Sequence, residues 1–286
     1  MKKLLLDAGH YKGYNQSKIY PLYTEGNKMW DLHLLVKSYL ENNYLVKIDT
    51  TRTSISKDLK FYNRGLLARG YEGFYSFHSN ACDNPKVDRV VIIRALGEPS
   101  LNSYCTQLGE GIKGIMGVRD KTQVVERANG NRGEYYGVLR GARDSGCKNR
   151  FIIEHSFHTN KAAAMWLNDD SNLKKLAKVE GDIMAKFHKL EKRGSDNDKG
   201  NDRVNGGTSG SNSGNNSSVK LIRIIKDVNY RWKADFSKDE YIKGIAKKGE
   251  VFTVVGRVKS NCEVDMYRLK SGYYITTSSK YVEVYK

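Results

Sequence analysis

Hydrophobic and polar positions follow two regimes along the chain. In the first two thirds, short apolar runs (KKLLLDAGH, YLVKID, GFYSFH, RVVIIRAL and RFIIE) alternate with stretches whose apolar residues recur every three or four positions. The helical stretches are NKMWDLHLLVKSYLEN, residues 57–71, residues 101–117, KAAAMWLND and SNLKKLAKVEGDIMAKFHKLEK. Strands alternating with helices predict an α/β domain, a largely parallel sheet flanked by helices on both faces. In such a sheet the carboxyl ends of the strands share one edge, where function gathers. After residue 218 the period changes to two. KLIRII, GEVFTVVGRV, EVDMYRLK and YYITTSSKYVEVYK, rich in Tyr and Val, predict a small all-β barrel.

Between the regimes, residues 194–218 read GSDNDKGNDRVNGGTSGSNSGNNSS, and 18 of these 25 are Gly, Ser or Asn. A coil of this composition spans roughly 25–30 Å root-mean-square, enough for two domains to reorient independently. The expected organisation is therefore a domain over 1–193, a flexible linker over 194–218 and a small domain over 219–286.

The chain carries a net charge of +17, shared between residues 1–193 (32 Lys and Arg against 21 Asp and Glu) and 194–286 (17 against 11). Both parts therefore suit a polyanionic partner: nucleic acid, a membrane surface or a phosphate-bearing bacterial wall. No zinc-finger spacing, helix-turn-helix signature or RNP-like strand accompanies the charge, which turns the reading away from nucleic acid. Cys82, Cys105, Cys147 and Cys262 form no CxxC pair and read as free thiols of a protein made in a reducing compartment. Asp7 ends the first apolar run too early for an export signal, and no run approaches the ~20 apolar residues of a membrane span.

Three apolar runs end in ionisable residues of metal-binding type: LLLDAGH in His10, GFYSFHSNA with His78, and RFIIEHSFHTN with Glu154. Glu25, in the loop before a predicted helix, can fold over the same edge. Two imidazoles and a carboxylate with an open fourth position suit a hydrolytic zinc site, and a second carboxylate would take the proton of a water. Each residue also has an ordinary structural reading. A single strand-end His is commonly a satisfied structural group, Glu25 can favour the positive end of a helix, and Glu154 can pair with an arginine. For His33 and His188, inside helical patterns, the structural reading wins.

Taken in order, DAGH (7–10), Glu25, SFHSNA (76–81) and EHSFHTN (154–160) resemble the motifs of the zinc-dependent N-acetylmuramoyl-L-alanine amidases that cut bacterial peptidoglycan. Thr51-Arg52 and Arg64 also fall where that family carries arginines. The resemblance implies one Zn2+ held by His10, Glu25 and His78, with Glu154 as the catalytic carboxylate; Asn80, through its amide, and His158, a polar residue where that family usually has an apolar one, are the candidate substrate-binding residues. The bond cut would be the amide between N-acetylmuramic acid and L-alanine. Two departures stand out: GHYKG replaces GHGG, placing bulky Tyr11 beside His10, and HSNA replaces HANA.

The C-terminal part resembles the SH3-like repeats attached to bacterial wall hydrolases. That resemblance implies cell-wall binding through aromatics such as Tyr230, Trp232 and Tyr273. The expected protein is a peptidoglycan hydrolase made in the cytoplasm without a signal peptide and acting on the wall after release. A phage endolysin directed at a Gram-positive host fits best. A host autolysin and an inactive wall-binding protein are the alternatives.

Overall fold

The strand β1 (Lys2–Ala8) buries Leu4 and Leu6 in one apolar cluster and Leu5 in another, as a central strand covered on both faces must. In the computed structural model, which describes residues 1–193 and 220–285 apart from 238 and 263, this strand lies within a six-stranded sheet. Its other strands are β2 (Val46–Thr50), β3 (Gly73–Asn80), β4 (Val91–Arg94), β5 (Gln123–Val125) and β6 (Arg150–Phe157), in the order β2-β1-β3-β6-β4-β5. On one face pack α1 (Glu25–Asn43), α3 (Asn102–Met116), α5 (Lys161–Asn168) and α6 (Asp170–Phe187). The short helix α4 (Gly137–Asp144) adds Val138, Leu139 and Ala142 to the other cluster, and α2 (Phe61–Leu66) packs on α4. They cross nearly backbone to backbone, because a Cβ on Gly65 would come within 2.0 Å of the Val138 carbonyl.

The α/β expectation holds, but the sheet is mixed rather than parallel throughout. β2, β1, β3 and β6 run parallel, whereas β4 is antiparallel to β6. The cause is the short, helix-free connection from β3 to β4. A parallel return needs a crossover of a dozen or more residues, so the chain turns straight back. α3 then supplies a crossover, and β5 runs parallel to β4.

The helix expected over 57–71 is confined to α2, because the chain before it is held by Arg52, whose Nη1 donates to the Ile55 and Lys57 carbonyls. Among the strands and α-helices of residues 1–193, two are additional to the expectation: the three-residue edge strand β5, and α4, whose two glycines weaken its helical signal.

The chain divides into two compact units, Met1–Asp196 and Asn197–Lys286. The linker expected over 194–218 lies outside the described residues. The second unit is an antiparallel sheet of seven strands, β7 (Lys220–Ile224), β8 (Val228–Arg231), β9 (Ile242–Ala246), β10 (Val251–Lys259), β11 (Asp265–Leu269), β12 (Tyr274–Thr276) and β13 (Val282–Val284). Their order is β13-β7-β10-β11-β12-β8-β9. Ile222, Ile224, Val254, Leu269, Ile275 and Val282 form its core. Tyr230 and Tyr273, expected as exposed contacts, are half-buried against that core, and Trp232 packs edge-on to Tyr241. Among the described residues no helix is long and apolar enough to cross a membrane.

Candidate active site

Because β1, β3 and β6 are parallel, the residues at their carboxyl ends arrive at one edge of the sheet. His10 follows β1, His78 lies near the end of β3, and Glu154 pairs in register with His78 on β6. Glu25 opens α1 above the same edge, near the positive end of that helix. The structure brings three of these together: one donor atom each from His10, Glu25 and His78 lies within 4.8 Å of the others. Glu25, 1% exposed, sits between the two rings, with Oε2 3.3 Å from His10 Nε2 and Oε1 3.0 Å from His78 Nδ1. The amide of Asn15 donates to Glu25 Oε2 at 2.7 Å, and the backbone N–H of Ser79 donates to Oε1 at 3.1 Å.

A chain of buried groups fixes the orientation of His78. Ser76 Oγ donates to Asp7 Oδ2 at 2.7 Å, so its oxygen accepts from His78 Nε2–H at 3.1 Å. Nδ1 is thereby turned toward Glu25, in the arrangement in which an imidazole serves as a ligand. Held against Glu25 alone, that nitrogen keeps a proton. Burial works to lower the pKa of His78, but the hydrogen bond and charge of Glu25 prevail and push it up to about 9. Burial likewise opposes ionisation of Glu25, yet the two histidines hold its carboxyl well below the usual carboxylate range.

Backbone placement is equally specific. His10 adopts φ +59°, unusual for a residue with a side chain, and two buried arginines hold the loop there. Arg52 Nη2 donates to the Ala8 carbonyl at 2.9 Å, and Arg64 reaches the Ala8 and His10 carbonyls at 3.1 and 3.2 Å. Gly9 is required because the His78 ring occupies its side-chain space: a Cβ would lie 2.5 Å from that ring. Tyr11 is accommodated by turning outward, 39% exposed, while its backbone packs on Gly26. Tyr14 stacks on the His10 ring at 4.6 Å.

Glu154 stands apart from the three. Its Oε2 is buried with no hydrogen-bond partner. Burial pushes its carboxyl up to about 7, with the charge of His78 opposing and that of Glu25 adding. A carboxyl poised there can both accept and return a proton near neutrality. A buried carboxylate between two imidazoles, one of them held by Ser76, is a three-donor set that fits a zinc ion and leaves its fourth position open.

His158 is buried at 6% exposure. Its Nδ1 lies 3.0 Å from both Ser79 Oγ and the Ser79 carbonyl, and 4.0 Å from Glu25 Oε2. Asn80 is half-buried, and its Oδ1 accepts from the Ala81 N–H. His155 points away from the cluster toward α6, and His33 and His188 are buried elsewhere, both pushed down to about 4 by burial. Sequence reasoning passed over Asn15, Ser76 and Asp7. The last two lie inside the quoted motifs; Asn15 carries no pattern to find it by.

Comparison with known proteins places these observations. The family model of the N-acetylmuramoyl-L-alanine amidases matches residues 4–182, and a domain family of unknown function, DUF5776, matches residues 215–282. The catalytic domain of CwlV, an N-acetylmuramoyl-L-alanine amidase from Bacillus (Paenibacillus) polymyxa, is similar over 67% of this chain and 100% of its own, at 16% identity and a TM-score of 0.55. An N-acetylmuramoyl-L-alanine amidase from Clostridium difficile covers 66% of this chain and 97% of its own, at 16% identity and 0.55. The amidase AmiC2 of Nostoc punctiforme covers 66% and 97%, at 16% and 0.51. At such identities these likenesses establish the fold. No curated protein sequence matches the chain.

Proposed function

The chain belongs to the N-acetylmuramoyl-L-alanine amidase family, and from that premise we propose that it is a zinc-dependent hydrolase. It would cut the amide between the lactyl group of N-acetylmuramic acid and the L-alanine of the stem peptide. The observation that carries this reading is the convergence of His10, Glu25 and His78 within 4.8 Å beside Glu154, whose Oε2 is buried without a hydrogen-bond partner. His10, Glu25 and His78 would hold the ion. When bound, zinc supplies Lewis acidity that polarises a carbonyl and makes water easier to deprotonate.

The chain's own groups do the rest. Glu154 takes a proton from the attacking water and returns it to the departing amine, a role suited to a carboxyl raised to about 7. Ser76 and Asp7 keep His78 in one tautomer, and Asn15 and Ser79 steady Glu25. Asn80 and His158, joined by a backbone hydrogen bond of 2.8 Å, are the proposed substrate contacts.

The C-terminal unit is proposed to be an SH3-like module that holds the enzyme on the wall. Its antiparallel sheet and the basic excess of residues 194–286 support that reading. Four unpaired cysteines, two of them buried, support synthesis in a reducing compartment and action as an endolysin after release.

Digestion of purified Gram-positive peptidoglycan, followed by mass spectrometry, tests the proposed bond. New L-alanine amino termini without new reducing sugars are expected. Amino termini from another stem residue would reassign the enzyme as a peptidase, and new reducing sugars as a glycosidase.

A further inference from the structure

The β3–β6 ladder is irregular beside the site. His78 pairs with Glu154, but the next pair is Asn80 with Phe157, so β6 carries one extra residue. Ser156, within that bulge, adopts φ +67° and donates from Oγ to Asp88 at 2.7 Å. A bulge unpairs the local ladder and re-aims the side chains around it, and a buried carbonyl left over must find a donor. Here the donor is a side chain: His155 Nδ1 lies 2.8 Å from the His78 carbonyl oxygen. The other nitrogen, Nε2, lies 2.7 Å from Glu180 Oε1 on α6, with both side chains 0% exposed. The ring stacks on Phe77 with an interplanar angle of 7°.

We propose that His155 and Glu180 are a pair of positioning residues, which pin the β6 bulge so that His78 and Glu154 face the same point. This rests on the zinc site proposed above. His155 is neither ligand nor base. It grips the backbone of one proposed ligand and adjoins Glu154 in sequence, and Glu180 ties that grip to a helix outside the site. Stability alone does not account for such a pair: exchanging both members of a buried polar pair for apolar groups of similar volume is often neutral or stabilising. What apolar groups cannot supply is a direction for the His78 carbonyl.

The decisive variant is therefore the double exchange His155→Leu/Glu180→Leu, which leaves no unpaired charge and is expected to fold. Its thermal midpoint should match or exceed that of the wild type. Its zinc affinity, by competition with a chromogenic chelator, and its kcat on wall fragments should each fall about 10-fold or more, with KM changed less than about twofold. Glu180→Gln, which keeps an acceptor toward the ring, should recover most of both. A double variant with wild-type zinc affinity and kcat overturns the proposal. So does a single Glu180→Leu variant that loses only thermal stability. If the wild type binds zinc yet cuts no wall amide, the amidase reading fails alone and the affinity comparison still decides the pair. A wild type without affinity for zinc defeats both.

Discussion

Gly9 lacks a side chain because His78 fills the space where one would stand. Gly9→Ala would press on His78 Nδ1 and should displace a proposed ligand without removing a donor atom, lowering zinc affinity by about 10-fold or more in a chelator competition; unchanged affinity would show that the ring has room to move. Glu154 makes a second prediction. Its folded carboxyl, raised to about 7 by burial, holds a proton more tightly than it does in the unfolded chain, so stability is lost as pH rises through that value. Glu154→Gln carries no such cost. In zinc-free protein the variant should therefore be more stable than the wild type by about 2–3 kcal/mol near pH 8, converging with it near pH 4, in urea titrations at the two pH values. At this scale the sequence was legible where chemistry ended an apolar run, as for His10, His78 and Glu154. Asn15 was not, because a single polar loop residue has no period, and its role exists only once the loop closes on Glu25.

Elements with a strong period were legible: β1, β3 and β6, which carry the site, and the long helices α1, α3 and α6. The antiparallel course of β4 was not, since a strand's apolar content says nothing of its direction; the short helix-free connection decides it. Short strands such as β5, β8 and β9 bury too little to impose a pattern. Elements also hold the site through contacts between them. Arg64, on α2, is 1% exposed and anchors β1 and the following loop through the Ala8 and His10 carbonyls, and it also bonds the Leu59 carbonyl and Asp58. Arg64→Ala leaves Asp7, 3.6 Å away and fully buried, with less compensation. The expected loss is about 3 kcal/mol in chemical denaturation. Arg64→Lys should recover little, because one ammonium cannot reach acceptors fanned around a guanidinium. Full recovery by lysine would show that charge alone matters there.

On the scale of the whole molecule, two units with separate cores and a shared basic excess suit an enzyme that works while attached to an insoluble polyanion. Attachment raises local concentration without new catalytic contacts. Removing residues 194–286 should leave hydrolysis of a soluble wall fragment unchanged, while activity on intact walls at low enzyme concentration falls by about 100-fold. Equal loss on both substrates would place the second unit within catalysis instead. His10, Glu25 and His78 are proposed to hold one zinc ion while Glu154 alone handles the proton. The direct measurement is zinc content together with the release rate of L-alanine amino termini, for wild type and Glu154→Gln side by side. One zinc per chain is expected in both, with a release rate at least about 100-fold lower in the variant; a variant that keeps its zinc and cuts at the wild-type rate would remove Glu154 from the proton's path.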